Sequence, residues 1–178
     1  LCLFFVQESL AKYITAADET ANISIARWKI LVNDEDIRDE NTVNTVINPV
    51  FLGNDNIAEN IIAPTSEGYF DLIIDAREAD VSFKYKISMS VNQNSSVKDL
   101  VATKYVVNGG EPITMDINNQ TIENTVLYGN NNSTINIRVY IVWNDGDGSL
   151  MDNSADTLAT TSGNSAMMNV SLNFTQVV

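Results

Sequence analysis

From Val81 to Val91 (VSFKYKISMSV) the chain alternates apolar and polar residues without a break. Successive side chains of a β-strand point to opposite faces. Val81, Phe83, Tyr85, Ile87, Met89 and Val91 therefore share one face, and Ser82, Lys84, Lys86, Ser88 and Ser90 share the other. A helix would spread the same residues around its whole circumference. The pattern specifies a strand with one face in a core and one in water, the arrangement typical of antiparallel sheets.

The same period recurs along the chain. Phe70, Leu72 and Ile74 form one inward row, and Ile113, Met115 and Ile117 a second. Ile135, Ile137, Val139, Ile141 and Trp143 form a third, with Asn136 and Arg138 outward. Near the C-terminus Met168, Val170, Leu172 and Phe174 alternate with Asn169, Ser171, Asn173 and Thr175. Between Ile23 and Val32 the phase slips by one residue, which predicts a β-bulge near Ala26-Arg27. Asn108-Gly109 predicts a hairpin turn, and Gly129 to Asn132 another turn. Helical signals are confined to Ser96–Ala102, with Ser95 or Ser96 as cap, and to a turn or two over Asp152–Thr160. Short strands separated by turns predict an all-β fold: an antiparallel, jelly-roll-like β-sandwich with at most short helices.

Composition narrows the function. With 44 % hydrophobic residues the chain can bury a core, and 178 residues suit a single domain. Ten basic against 23 acidic residues leave a net charge of −13, which repels nucleic acid and anionic membranes and excludes both as partners. Histidine is absent, which removes the commonest general base and neutral metal ligand. The single cysteine, Cys2, cannot form an internal disulfide. No HExxH, CxxC or phosphate-cradling glycine loop occurs, so the expectation is a protein that is not an enzyme and needs no cofactor.

Two acidic stretches are candidate sites. Asp145, Asp147, Asp152 and Asp156 form an oxygen-rich run resembling a calcium loop, but the position that an EF-hand reserves for glycine is Leu150. They read as an acidic loop, with metal binding the weaker alternative. Asn33-Asp34-Glu35-Asp36, with Asp39 and Glu40, reads as a solvated loop. Sequons begin at Asn22, Asn94, Asn119, Asn131, Asn132, Asn169 and Asn173; the outward-facing Asn169 and Asn173 are the glycosylation candidates in a host that glycosylates.

The N-terminus carries a different signal. Leu1–Val6 (LCLFFV) followed by Ser9-Leu10-Ala11 reads as the end of a secretory leader with a small-x-small cleavage site. Six apolar residues are too few to span a bilayer. If the segment is retained, it must be buried against its own domain or against a neighbouring subunit.

Ala26-Arg27-Trp28-Lys29-Ile30, the run Ile62 to Asp75 (IAPTSEGYFDLIID) and the close from Val142-Trp143-Asn144-Asp145-Gly146 through Asp156-Thr157 to Thr175-Gln176-Val177 resemble, in order and spacing, the motifs of TasA/camelysin-like secreted proteins. Thr65-Ser66 departs from the glycine-rich turn usual there. The resemblance implies a jelly-roll domain exported to the cell surface and polymerised into biofilm or surface fibres. Some members have been called metallopeptidases, an activity that no residue of this histidine-free chain inherits. Residues 1–14 are then a candidate donor strand, with Leu1, Leu3, Phe5 and Leu10 as its inward residues, and residues 15–178 the single sandwich domain. The expected partners are identical subunits of an extracellular filament. The alternative is a secreted monomeric adhesin, which needs an exposed aromatic or acidic site.

Overall fold

The computed structural model describes residues 26–37, 42–64, 66–144 and 166–177. Five long strands carry the structure: β5 (Glu67–Asp75), β6 (Phe83–Val91), β7 (Leu100–Val107), β10 (Ile135–Trp143) and β11 (Met168–Gln176). Around them lie β3 (Thr42–Ile47) and β9 (Thr121–Val126), and the two-residue strands β1 (Leu31–Val32), β2 (Glu35–Asp36), β4 (Val50–Phe51) and β8 (Ile113–Thr114). The first sheet runs β2-β1-β5-β10-β7-β8, with β4 also on β5; the second runs β3-β11-β6-β9. Every pairing is antiparallel. The two sheets pack as a sandwich, and β5, β6, β7, β9, β10 and β11 alternate between them.

The core lies where the alternation places it. Leu72, Ile74, Phe83, Ile87, Val139, Ile141 and Leu172 are shut off from solvent, and Trp28 packs edge-on against Phe83 with ring centroids 6.2 Å apart. Fully burying one such side chain stabilises the fold by about 1.5–3 kcal/mol. Gly68 admits the short strand β4: a Cβ there would sit 2.8 Å from both the Val50 carbonyl oxygen and the Phe51 ring.

Turn chemistry fixes two of the hairpins. Asn108 and Gly109 both have positive φ (51° and 69°), and the Gly110 N–H donates to the Val107 carbonyl at 2.9 Å. That is the primed turn whose twist matches its flanking strands. Asn33 and Asp34 also have positive φ (47° and 70°), so Asn33 to Asp36 of the acidic stretch expected as a loop form a tight hairpin whose return strand is β2, while Asp39 and Glu40 lie outside the described residues.

Three other expectations fail. Ser96–Ala102 is not helical: β7 begins at Leu100, Leu100, Val101 and Ala102 are all buried, and the Ser95 hydroxyl donates to the Val97 carbonyl, so it closes a bend. Ala26–Ile30 forms no paired strand, so no bulge is seen at Ala26-Arg27; Ile23 and Ile25 lie outside the described residues. The register shift in the structure falls between Tyr140 and Ile141 on β10. Of the row Ile113, Met115 and Ile117 only Met115 is buried, because β8 ends after two residues and Asp116 turns the chain by accepting the Asn118 N–H. The turn expected over Asp152–Thr160 lies outside the described residues.

Leu172→Ala removes a fully buried side chain from the central strand of the second sheet and is expected to cost about 2–5 kcal/mol in denaturant unfolding. Gln176→Ala, on the same strand but exposed, should stay within about 0.5 kcal/mol of the parent.

Candidate assembly surface

A sandwich of open sheets leaves edges, and an unpaired strand edge is a template for another chain. The β8 and β9 edges lie on the same side of this sandwich, and there the two sheets do not close on each other. The inner face of β7 presents Thr103, Tyr105 and Val107, all only half-buried. Ile113 lies opposite Tyr105 on β8, in phase with the inner face, yet is 47 % exposed. Across the gap, β9 turns Ile122, Asn124 and Val126 inward; the two ends are buried and Asn124 between them is exposed. Beyond β9, Leu127 is exposed as well.

The seam has one closed end. The Gln120 side chain behaves like a neighbouring strand: its Oε1 accepts the Ala102 N–H at 2.7 Å, and its Nε2 donates to the Ala102 carbonyl at 3.0 Å. Met115 and Ile122 are buried at this end. Towards Val107 the apolar inner positions of β7 and β8 stay partly accessible, while Val126 opposite them is buried. Among the described residues β9 has no neighbour on its outer edge, and the Asn124 Oδ1 shields that edge by accepting the Thr125 N–H at 2.8 Å. A side-chain guard of this kind is displaced by one backbone carbonyl.

The outer faces are arranged differently. On the first sheet Arg138 makes two bonds to Asp71 (2.7 and 2.8 Å) with its guanidinium 4.0 Å above the Tyr69 ring. Lys104 reaches Glu67 at 2.8 Å with its ammonium 4.6 Å above the Tyr140 ring. Both tyrosines thus carry a cation of their own on one face. A shallow trough of about 410 Å³ on the second sheet is lined by the exposed Val46 together with small polar residues, among them Ser88, Ser90, Asn169 and Ser171.

Of the residues singled out from sequence, Leu1, Leu3, Phe5 and Leu10 lie outside the described residues, as do Asp145, Asp147, Asp152 and Asp156. Asn169 and Asn173 project from the outer face of β11. The Asn169 amide is half-buried, accepting from Asn92 at 2.6 Å and donating to Ser90 at 3.4 Å. The Asn173 Nδ2 donates to the Thr42 hydroxyl at 2.9 Å. Among the described residues no group of three or more acidic, cysteine or histidine side chains could hold a metal, and no helix is long and apolar enough to cross a membrane. The seam itself was not foreseen: Tyr85 and Ile113 read as ordinary core. The one signal was Asn124, a polar residue at an inward position between Ile122 and Val126.

The chain matches no protein-family model, no curated protein and no solved structure.

Ion pairs hold the rims. Asp75 pairs with Arg77 (2.6 Å), Glu78 with Lys29 (2.7 Å), Asp80 with Arg27 (3.0 Å), and Glu123 with Lys84 (2.6 Å) and Lys86 (3.0 Å). The hydrogen bonds from these cations hold each carboxyl below its ordinary value of 3.8 for Asp or 4.5 for Glu. The folded chain therefore binds fewer protons than the unfolded one in the acid range. This stabilisation is complete above the ordinary values and disappears as pH falls through the lowered ones. The unfolding midpoint should be flat from about pH 7 to 5 and fall below about pH 4, modestly because most of these side chains are exposed. Denaturant titrations across pH check it.

Proposed function

We propose that this chain is the structural subunit of an extracellular surface or biofilm-matrix filament, in which the N-terminal segment of one copy enters the β8–β9 seam of the next. The observation that carries the reading is the seam: inner-face apolar groups, Ile113 above all, left accessible beside a strand edge that has no partner among the described residues. An extended apolar segment adds there as a strand, its backbone satisfying the edge and its alternate side chains entering the gap. Residues 1–14 have the composition for it. Leu1, Leu3, Phe5 and Leu10 together contribute on the order of 10 kcal/mol before ordering costs. A donor on one surface and an acceptor on another make a head-to-tail contact, which propagates as an open filament.

The same features argue against the alternatives. A catalyst has no histidine to use, and the carboxylates on the sandwich rims are engaged with arginine and lysine. An adhesin wants free aromatic faces; Tyr69 and Tyr140 are each partly covered by an internal cation, which leaves Tyr128, 65 % exposed, as the aromatic open to that alternative. Jelly-roll connectivity and export belong to this reading through the motifs that resemble TasA/camelysin-like proteins.

Electron microscopy and sizing test it. The full-length chain should form filaments, and a chain lacking residues 1–14 should be a folded monomer. Ile113→Lys should fold with an unchanged unfolding midpoint but raise the concentration needed for assembly about tenfold or more, because a charge replaces an apolar contact in the seam. Filaments that persist without residues 1–14 would overturn the donor-strand reading, and monomers in every sample would point to the adhesin.

A further inference from the structure

Tyr85 is 1 % exposed, and its hydroxyl finds no hydrogen-bond partner among the described residues. Buried polar groups are almost always paired, so a lone exception asks for an explanation. Tyr85 stands on the inner face of β6 directly opposite Asn124 of β9, and its hydroxyl lies towards Asn124 and Tyr105. Both of those residues line the seam. The Asn124 side chain, its Oδ1 accepting the Thr125 N–H on the strand edge, comes near the phenol oxygen only as a donor that lowers its pKa, and leaves the hydroxyl proton without an acceptor. Burial pushes the phenol pKa up, so the group keeps its proton through the neutral range and remains a donor.

We infer that the Tyr85 hydroxyl is a latch for the strand that occupies the seam, donating to a backbone carbonyl of the incoming segment from a second copy of this chain. The inference rests on the filament reading above and adds to it the residue that registers the strand. A strand entering between β8 and β9 brings a carbonyl at every residue, and a regular backbone is the one partner that sequence variation in the donor cannot remove. The latch also makes the lone subunit bear an unsatisfied hydroxyl that assembly satisfies, so part of the drive to polymerise is built into the acceptor.

The distinguishing feature is a change of sign. Tyr85→Phe keeps the ring and deletes only the hydroxyl. In the full chain held monomeric below its assembly concentration, the denaturant midpoint should stay unchanged or rise, since an unpaired buried donor is lost. In the same variant the critical concentration for assembly should rise about tenfold, the effect of one lost hydrogen bond. Asn124→Ala should leave the monomer midpoint unchanged. A lowered monomer midpoint in Tyr85→Phe would mean that the hydroxyl already has a partner within the chain, and would overturn the inference. So would an unchanged critical concentration. Ile113→Lys separates the two levels: if it blocks assembly while Tyr85→Phe does not, the latch fails and the seam stands. If neither variant changes assembly, the seam reading fails with it.

Discussion

Two half-apolar sheets can bury their inner faces only by packing on each other, and they can do so only as far as both sheets extend. In this chain β5, β6, β10 and β11 each run nine residues and supply most of the core, so the middle of the sandwich is dry and closed. At the β8–β9 side one edge strand is two residues long and the other six. The inner face of β7 reaches further than the two-residue strand beside it, and β9 carries a polar residue at its inward midpoint. Tyr105, Val107 and Ile113 on one side and Asn124 on the other are left beside water for that reason. The seam is thus a consequence of strand lengths.

How much of this was legible in the sequence depended on who the neighbours were. β6, β10, β11 and the inner row of β5 could be read directly, because each alternates strictly and each is buried on one face. The Asn108-Gly109 turn was legible because its backbone demands those residue types. The helix expected over Ser96–Ala102 was misread because a serine before an apolar run is also the start of a strand when Leu100, Val101 and Ala102 all find a core to enter. β9 escaped notice because its middle inward residue is Asn124, which breaks the alternation at the place where the sandwich opens. Ile113 reads as core from its phase, and only the shortness of β8 shows that nothing covers it. A site made by the absence of a neighbour leaves little trace in local sequence.

The charge distribution suits the proposed filament subunit, which must not associate at random. Arg27, Lys29, Arg77, Lys84, Lys86, Lys104 and Arg138 are all held in ion pairs within the chain. The acidic surplus stays uncompensated, and copies with a net charge of −13 repel one another face to face. In the proposed filament, assembly through an apolar, backbone-paired seam would be short-ranged and directional, so it could overcome that repulsion in one geometry while others stay disfavoured. Negative charge and an open strand edge are compatible under the proposal: the first would suppress irregular aggregation, and the second would permit one ordered contact.

The most direct measurement is amide hydrogen exchange across Thr121–Val126 in the monomeric and assembled states. If the seam takes a strand from a neighbouring copy, amides on the outer edge of β9 that exchange quickly in the monomer should slow by orders of magnitude on assembly, with Thr125 among them. Unchanged exchange along β9 in a sample that has formed filaments would contradict the account, because the subunits would then be joined through some other surface.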